Sequence, residues 1–228
     1  MEYGRTVVGR FLSRLNRFIA HVEIGGVETV VHVKNTGRCK ELLVPGATVV
    51  LEKSVNPLRK TPYDLIAVYK GQMLINMDSQ APNKVFGEWA ASSGFFGVPT
   101  LIKPESRFGS SRFDFYIETE GRKIFVEVKG VTLEHEGVVL FPDAPTQRGA
   151  RHLRELAEAV REGYEAYVFF VIQMENCRYF TPNDATDPAF ASALRSAAAQ
   201  GVYVKCLNCK VTENTLTAGE FVPVKMNG

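Results

Sequence analysis

Short alternating runs of apolar and polar residues dominate the first third of the chain. This alternation predicts β-strands, and Gly25-Gly26 and Pro45-Gly46 stand where the chain would turn between them. The predicted strands cover residues 10–15, 18–24, 29–33, 49–53 and 63–69. Several strands in so short a segment predict a small closed β-barrel, for which the OB-fold is the natural candidate.

The pattern changes after the polar, proline-bearing segment 76–83, which we interpret as a domain boundary. Residues 1–80 would form the barrel and residues 81–228 a second domain. The second part mixes helical and strand periods, and this predicts the α/β (α+β) class, with a mixed sheet flanked by helices. The helices are predicted over 84–91, 147–162 and 187–200, and the strands over 101–108, 113–117, 123–129, 166–173, 202–206 and 221–224.

Two of these strands form a predicted hairpin that carries charged residues at its end. The polar turn Glu120-Gly121-Arg122 separates them, and the side-chain period of two places Glu127 and Lys129 on one face. Pairing of the strands can bring Asp114 to that face. Two carboxylates and one ammonium group there suit a site that holds Mg²⁺ or Mn²⁺ and activates a water for attack on a phosphodiester. The same alternation is also typical of the solvated face of an ordinary antiparallel strand.

Two further acidic residues lie close to this hairpin in sequence. Glu88 follows Val85 by three residues on the first predicted helix, which Asn83 would cap. Glu88 either faces the strand carboxylates and assists catalysis or lies on the helix surface, as its helix propensity also favours. Glu105 either projects toward the same cleft or lies at the edge of the sheet.

The helix predicted from Gln147 begins with cationic side chains, although the N-terminus of a helix favours an anion. Thr146 is its expected N-cap. A phosphate held by Gln147, Arg148 and His152 would relieve this conflict. Alternatively, Arg148 and His152 pair with neighbouring acids such as Asp143.

Basic residues are concentrated in the predicted barrel. The whole chain has a net charge of +2, but residues 1–80 carry 11 Lys and Arg against 7 Asp and Glu. Because cations neutralise phosphates, this excess predicts a nucleic-acid partner. Phe11 and Phe18 would either stack on bases or belong to the barrel core. The candidate nucleic-acid-binding residues are Arg10, Arg14, Arg17, Arg38, Lys40, Arg59 and Lys60.

The cysteines and the longest apolar runs add little. Cys206 and Cys209 have the spacing of a zinc knuckle, but the other two cysteines lie far away in sequence, so structural thiols compete with a zinc or redox role. No apolar run approaches the ~20 residues of a membrane span, and we find no signal-peptide core. A cytoplasmic location without membrane contact is the expectation.

The order Asp114, hairpin, Glu127-Val128-Lys129, set between two helices, resembles the PD-(D/E)xK nuclease superfamily. That superfamily has a core of a helix, a three-stranded meander, a helix and a further strand. Phe113 stands where its motif has proline. Longer motifs along the whole chain resemble the sugar fermentation stimulation protein family; they are residues 35–42, 59–61, 111–115, 127–129 and 141–149.

Membership of that family implies an N-terminal OB-fold, a C-terminal PD-(D/E)xK nuclease-like domain, DNA binding and a named link to sugar metabolism. The leading hypothesis is therefore a DNA-binding protein with a Mg²⁺-dependent nuclease site. One alternative keeps the fold and DNA binding but makes the metal site vestigial, as in a non-catalytic regulator. A third hypothesis makes the barrel an RNA reader.

Overall fold

The computed structural model describes residues 1–35 and 37–227 of the chain. Within that part, the N-terminal residues form six strands: β1 (Thr6–Arg14), β2 (Ile19–Ile24), β3 (Val27–Val33), β4 (Thr48–Lys53), β5 (Tyr63–Lys70) and β6 (Met73–Asn76). They hydrogen-bond in the order β3-β2-β1-β4-β5-β6, and a further parallel pairing between β3 and β5 closes β1 to β5 into a barrel. The barrel predicted from the alternation is confirmed. Thr36, within the motif at residues 35–42, lies outside the described residues.

The two aromatic residues of the barrel behave differently. Phe11 is 1% exposed and packs with Val22, Leu51 and Leu65 inside the barrel, whereas Phe18 is 43% exposed. Phe11 is therefore a core residue, because its strand turns that side chain inward. Phe18 follows β1 in the loop before β2, so no strand partner covers its ring.

The C-terminal part combines strands and helices around a second sheet. Its elements within the described residues are α1 (Ala81–Ser92), β7 (Leu101–Phe108), β8 (Ser111–Thr119), β9 (Arg122–Val131), β10 (Glu134–His135), β11 (Val138–Phe141), α2 (Gln147–Arg161), β12 (Glu165–Ile172), β13 (Tyr179–Pro182), α3 (Pro188–Ala199), β14 (Tyr203–Val211) and β15 (Leu216–Phe221). The large sheet has the order β15-β14-β12-β9-β8-β7, and β10, β11 and β13 form a small one. Strands β9, β12 and β14 are parallel, and the rest of the large sheet is antiparallel.

Helices cover both faces of the large sheet. On one face, Phe86 and Trp89 of α1 pack against Phe169 of β12, with centroid distances of 4.8 and 5.4 Å. On the other face, the apolar stripes of α2 and α3 pack into the same buried cluster as the barrel interior. The order α1, meander β7-β8-β9, α2, β12 is the core that the resemblance implied, so the predicted α+β architecture is confirmed.

The predicted element ends are mostly close to those observed. Thr146 caps α2 by accepting a hydrogen bond from the Gly149 N–H at 3.0 Å, as predicted. Asn83 does not cap α1, because the helix already begins at Ala81 with Pro82 in its first turn, where a missing N–H removes no helical bond. The last strand also differs from the prediction, since β15 ends at Phe221 instead of beginning there.

A buried polar cluster joins the barrel to the large sheet. Gln173 Nε2, at the end of β12, donates to Asn76 Oδ1 at 2.8 Å and to the Asp78 carbonyl at 3.0 Å. Asn76 Nδ2 donates to the Tyr3 hydroxyl at 2.8 Å, and the Lys34 ammonium pairs with Asp78 at 2.8 Å. Buried polar groups tied in this way fix geometry as well as contribute stability. The segment that leads from the barrel into the C-terminal part, at Asn76 and Asp78, is therefore held by residues of both parts.

The cysteines are structural thiols in this fold. All four are free, and Cys206 and Cys209 are buried. Three positions apart on β14, they lie on opposite faces of the sheet and belong to different apolar clusters. Two such sulfurs cannot ligate one zinc ion, so the knuckle interpretation is wrong. Among the described residues, the helices include none long and apolar enough to cross a membrane.

Candidate active site

The charged end of the β8–β9 hairpin gathers the three residues that the sequence singled out. Lys129 Nζ lies 2.5 Å from Oε1 of Glu127, its neighbour on the same face of β9. Asp114 lies on β8 next to this pair, and its Oδ2 accepts a hydrogen bond from the Val128 N–H at 2.8 Å. Two carboxylates and an ammonium group thus share one edge of the sheet.

A local break in the strand ladder brings Asp114 to this position. The paired residues of β8 and β9 end at Phe115 and Val126, and the Asp114 carboxylate replaces the backbone acceptor for the next N–H of β9. Asn83 of α1 donates to the other oxygen, Oδ1, at 2.8 Å. Burial and the nearby charge of Glu127 raise the pKa of Asp114 above its ordinary value, and these hydrogen bonds only partly oppose the shift.

Glu127 is buried, with 3% of its surface exposed, and its two oxygens differ. Oε1 meets both the Lys129 ammonium group and Nδ1 of His152, each at 2.5 Å. Oε2 is buried and has no hydrogen-bond partner among the residues that the structure describes. Burial alone would raise the pKa of Glu127, but His152 and Lys129 outweigh it and hold that pKa below its ordinary value. The side chain is thus a fixed carboxylate with one oxygen left over.

The structure gives His152 a different role from the predicted one. Its ring is 3% exposed and lies behind Glu127, so the expectation that His152 holds a phosphate is wrong. Arg148 Nε donates to His152 Nε2 at 3.4 Å, a long hydrogen bond that assigns the proton to Nδ1, which donates to Glu127. Gln147 and Arg148 are exposed in the first turn of α2. Within the described chain, Arg148 forms no ion pair with Asp143.

The two further acidic candidates lie elsewhere. The Glu88 carboxylate is 56% exposed and pairs with the Met1 amino group at 2.7 Å, which corrects the expectation that it faces Asp114 and Glu127. The residue of α1 that does reach Asp114 is Asn83, one turn earlier. Glu105 is 74% exposed and pairs with Arg112 at 3.1 Å, so it lies at the sheet edge.

Of the seven basic candidates of the barrel, four have no acidic partner among the described residues, and three are held by other groups of the protein. Arg17, Arg38, Lys40 and Lys60 are exposed, and no acidic side chain of the described residues pairs with them. Arg10 is exposed but pairs with Glu23 at 3.0 Å. Both terminal nitrogens of Arg59 lie 2.8 Å from the Asp64 carboxylate.

Arg14 holds loops together and has no donor left for a phosphate. Its guanidinium group donates to five backbone carbonyls, those of Asn16, Arg17, Asn35, Gly37 and Arg38, at distances from 2.7 to 3.2 Å. Because a guanidinium group has five N–H donors, these bonds occupy its capacity. The expectation that Arg14 contacts nucleic acid is therefore corrected: it shapes the two loops that carry Arg17, Arg38 and Lys40.

These basic loops lie beside the C-terminal part of the molecule. A Cβ atom at Gly37 would lie 2.9 Å from Oδ2 of Asp143, which lies in the loop before α2. The barrel loop therefore closely approaches the loop before Gln147 and Arg148. Arg38 directly follows Gly37 in the barrel loop.

Sequence reasoning missed several residues of these sites. The sequence favours Asn83 as a helix cap, and no neighbouring residue indicates that it contacts Asp114, 31 residues further along the chain. His32 Nδ1 lies 2.7 Å from Asp64, but no sequence motif indicates this contact, because single His and Asp residues on separate strands form no recognisable pattern. The alternation did indicate that both residues lie on strands, but not that β3 and β5 pair to close the barrel.

The donor set at Glu127 fits a cation that retains part of its water shell. Within the described ranges, no group of three or more His, Cys, Asp or Glu side chains gathers as a complete metal cage. Mg²⁺ is usually bound by one or two carboxylates together with waters and substrate phosphates. Asp114 and the unpartnered oxygen of Glu127 supply that number.

Two family models match the chain. The one described as "Sugar fermentation stimulation protein RE domain" matches residues 80–215, and the one described as "SfsA N-terminal OB domain" matches residues 12–77. Curated proteins named "Sugar fermentation stimulation protein homolog" are similar over nearly their full length. The protein of Desulfitobacterium hafniense (strain Y51) is 61% identical over 226 residues, covering 99% of each chain. That of Ruminiclostridium cellulolyticum is 53% identical over 226 residues, covering 99% of this chain and 100% of the relative.

A solved structure is also similar over the whole chain. It is described as "The structure of Pyrococcus Furiosus SfsA in complex with Ca2+", with a TM-score of 0.89 and 28% sequence identity. The match covers 99% of this chain and 98% of the other. The similarity therefore extends to the arrangement of the barrel against the large sheet.

Proposed function

The chain belongs to the sugar fermentation stimulation protein family, and from this premise we propose that it is a DNA-binding protein with a Mg²⁺- or Mn²⁺-dependent phosphodiesterase site. In this proposal residues 1–80 bind DNA and residues 81–228 carry the site, formed by Asp114, Glu127 and Lys129. The observation that carries the proposal is Oε2 of Glu127, a buried carboxylate oxygen without a partner in the described chain. Such an atom is costly to bury unless it serves a ligand.

A divalent cation would satisfy both carboxylates at once. The pKa of Asp114 is raised partly by the charge of Glu127, so the two groups repel each other when both are ionised. Asp114 and Glu127 would hold the cation, whose charge would remove that repulsion. The Pyrococcus furiosus protein is described in complex with Ca²⁺. Ca²⁺ and Mg²⁺ both prefer oxygen ligands, which supports this choice of ion.

The chain's own residues would position the reacting groups. When bound, the metal would acidify a coordinated water and neutralise charge on the scissile phosphate. Lys129, held against Oε1 of Glu127, would orient the attacking water from the same side through its ammonium N–H groups. His152 is a positioning residue, because it fixes Glu127 and does not reach the substrate. Gln147 and Arg148, in the first turn of α2, would contact a phosphate together with the helix N-terminus.

The DNA backbone would run from this site along the basic barrel loops. Gly37 meets Asp143 at that junction, so Arg38 and Lys40 lie on the barrel side of a surface that continues into α2. Exposed and unpaired cations attract phosphates without reading bases. This arrangement predicts weak sequence preference and a strong dependence of affinity on salt.

The decisive experiment compares cleavage by the wild type with that by D114A and K129A. Labelled single-stranded DNA, duplex DNA and RNA are incubated with the purified protein and either Mg²⁺ or Mn²⁺. We expect both variants to cleave DNA about a hundred-fold more slowly or worse, since each loses a group that acts on the reaction. E88Q is the matched control, because the Glu88 carboxylate pairs with Met1 outside the site. Equal cleavage by the wild type and both variants would refute the assignment.

The same experiment separates the two rival functions. A non-catalytic DNA-binding regulator would keep its DNA affinity in D114A and K129A and would show no turnover with either metal. In that case the family's named link to sugar use would act through binding alone. Competition between single-stranded DNA and RNA of equal length tests the RNA-reading alternative.

A further inference from the structure

A pocket on the barrel lies outside the site formed by Asp114, Glu127 and Lys129. It has a volume of about 470 Å³ and opens between the β1–β2 loop and the β4–β5 loop. Phe18, His32, Arg59 and Asp64 are among the residues that line it. A volume of this size is within the range of small-ligand pockets, about 300–1,000 Å³. OB-folds bind oligonucleotides with these two loops and the face of the second and third strands.

Phe18 presents its ring to this pocket from a fixed backbone. Its N–H donates to Asn16 Oδ1 at 2.8 Å, and its carbonyl accepts from the Val33 N–H at 2.8 Å. The ring nevertheless remains 43% exposed, with the Arg17 guanidinium group 4.9 Å from its centroid. An exposed ring on a rigid backbone beside a cation is the usual platform on which an unpaired base stacks.

Asp64 orients two polar side chains that line the pocket, Arg59 and His32. Its carboxylate accepts from both terminal nitrogens of Arg59 at 2.8 Å and lies 2.7 Å from His32 Nδ1. Burial would raise the pKa of Asp64, but the hydrogen bonds from Arg59 and His32 outweigh it and keep that pKa below its ordinary value. With Nδ1 committed to Asp64, Nε2 of His32 has no hydrogen-bond partner among the described residues and is available to a ligand.

We propose that this pocket binds one unpaired nucleotide of single-stranded DNA, with its base stacked on Phe18 and its polar groups meeting His32, Arg59 and the exposed amide of Gln80. The choice of DNA rests on the proposed function. A duplex fits poorly, because its bases already stack on their neighbours and offer no free face. The Arg59–Asp64 pair alone would anchor the β4–β5 loop, but loop anchoring gives no reason for an exposed ring at Phe18.

The test measures binding without cleavage. The fluorescence anisotropy of a short labelled oligothymidylate is titrated with protein in EDTA, for the wild type, F18A, F18W and V27A. We expect F18A to bind about five-fold more weakly or worse, in line with the stacking of one base. F18W keeps an aromatic face and should bind like the wild type. V27A is the matched control, because Val27 is an equally apolar side chain, 65% exposed on the same barrel, that does not line the pocket.

Several outcomes would overturn the proposal. F18A binding as tightly as V27A would remove the stacking role, and a loss shared equally by F18A and F18W would show that the aromatic face is not what binds. Tighter binding of oligouridylate, or equal binding of a duplex, would overturn the choice of single-stranded DNA. A wild-type protein that cleaves no DNA with either metal, but whose affinity for the oligothymidylate still falls in F18A, would refute the nuclease and leave this pocket standing.

Discussion

His152 Nδ1 lies 2.5 Å from Oε1 of Glu127, and both side chains are buried. This contact joins α2 to β9 through a carboxylate whose other oxygen, Oε2, has no hydrogen-bond partner among the described residues. Arg148 Nε donates to the other ring nitrogen at 3.4 Å, so both nitrogens of the imidazole are held in place. In the proposed site, His152 would support Glu127 from behind as that carboxylate holds the metal.

The first prediction concerns this support. H152A should weaken Mn²⁺ binding by about 10- to 100-fold, because Glu127 then loses a donor that fixes its orientation. The measurement is titration calorimetry of metal binding, without DNA, so that the result does not depend on turnover. H152N should recover part of the affinity, since its amide can donate from a similar place.

H135A is the control for H152A, because His135 is exposed on β10 and does not contact Glu127. We expect wild-type metal affinity in that variant. Unchanged Mn²⁺ affinity in H152A, with its fold intact by circular dichroism, would contradict the positioning role.

The second prediction follows from the raised pKa of Asp114. A carboxylate whose pKa is higher in the folded state destabilises the fold when ionised. That cost is fully present above the folded pKa and disappears below the unfolded pKa. D114N should therefore be more stable than the wild type at pH 7 without metal, and the difference should shrink as the pH falls through the raised pKa. Urea unfolding across this pH range measures it.

D184N provides a control of opposite sign. The pKa of Asp184 is lowered by its hydrogen bonds with Arg195, so neutralising it removes a favourable interaction. Its stability should equal or fall below that of the wild type at pH 7. A D114N protein less stable than the wild type at pH 7 would contradict the conclusion that burial and the charge of Glu127 make ionised Asp114 destabilising.

The strand alternation was enough to predict the barrel, the hairpin and the face shared by Glu127 and Lys129. A period of two determines which side chains point together, and the turn at Glu120-Gly121 has positive φ at both residues, as a tight hairpin requires. The starts of α2 and α3 were also predictable from local sequence, because Thr146 and Asp187 are residues that cap helices. Local patterns therefore predicted the elements and the candidate triad.

Long-range contacts could not be read in the same way. The spacing of Glu88 was compatible with an inward direction, but the Met1 amino group captures its carboxylate. Arg14 resembled its basic neighbours in sequence, yet five carbonyls from two loops surround its guanidinium group. These outcomes depend on which segments the fold brings together, and no local period encodes that.

The third prediction tests the structural role of Arg14. R14A should lower the free energy of unfolding by about 2 kcal/mol, because five carbonyl groups lose a charged donor at once. R10A is the matched control, since the exposed pair of Arg10 with Glu23 contributes at most about 1 kcal/mol. Urea unfolding measures both variants. An R14A protein as stable as R10A that loses DNA affinity would show instead that Arg14 contacts phosphate.

The fourth prediction concerns the exposed cations next to the site. Arg38 and Lys40 pair with no acidic side chain of the described residues, so each is free to displace a counterion from DNA. For single-stranded DNA each phosphate contact contributes about 0.7 to the slope of log affinity against log salt, and the R38A/K40A double variant should lower that slope by about 1.4. Anisotropy titrations of labelled oligothymidylate at several salt concentrations measure it. R10A should keep the wild-type slope, because Glu23 already neutralises Arg10. An unchanged slope in the double variant would place the DNA path elsewhere on the barrel.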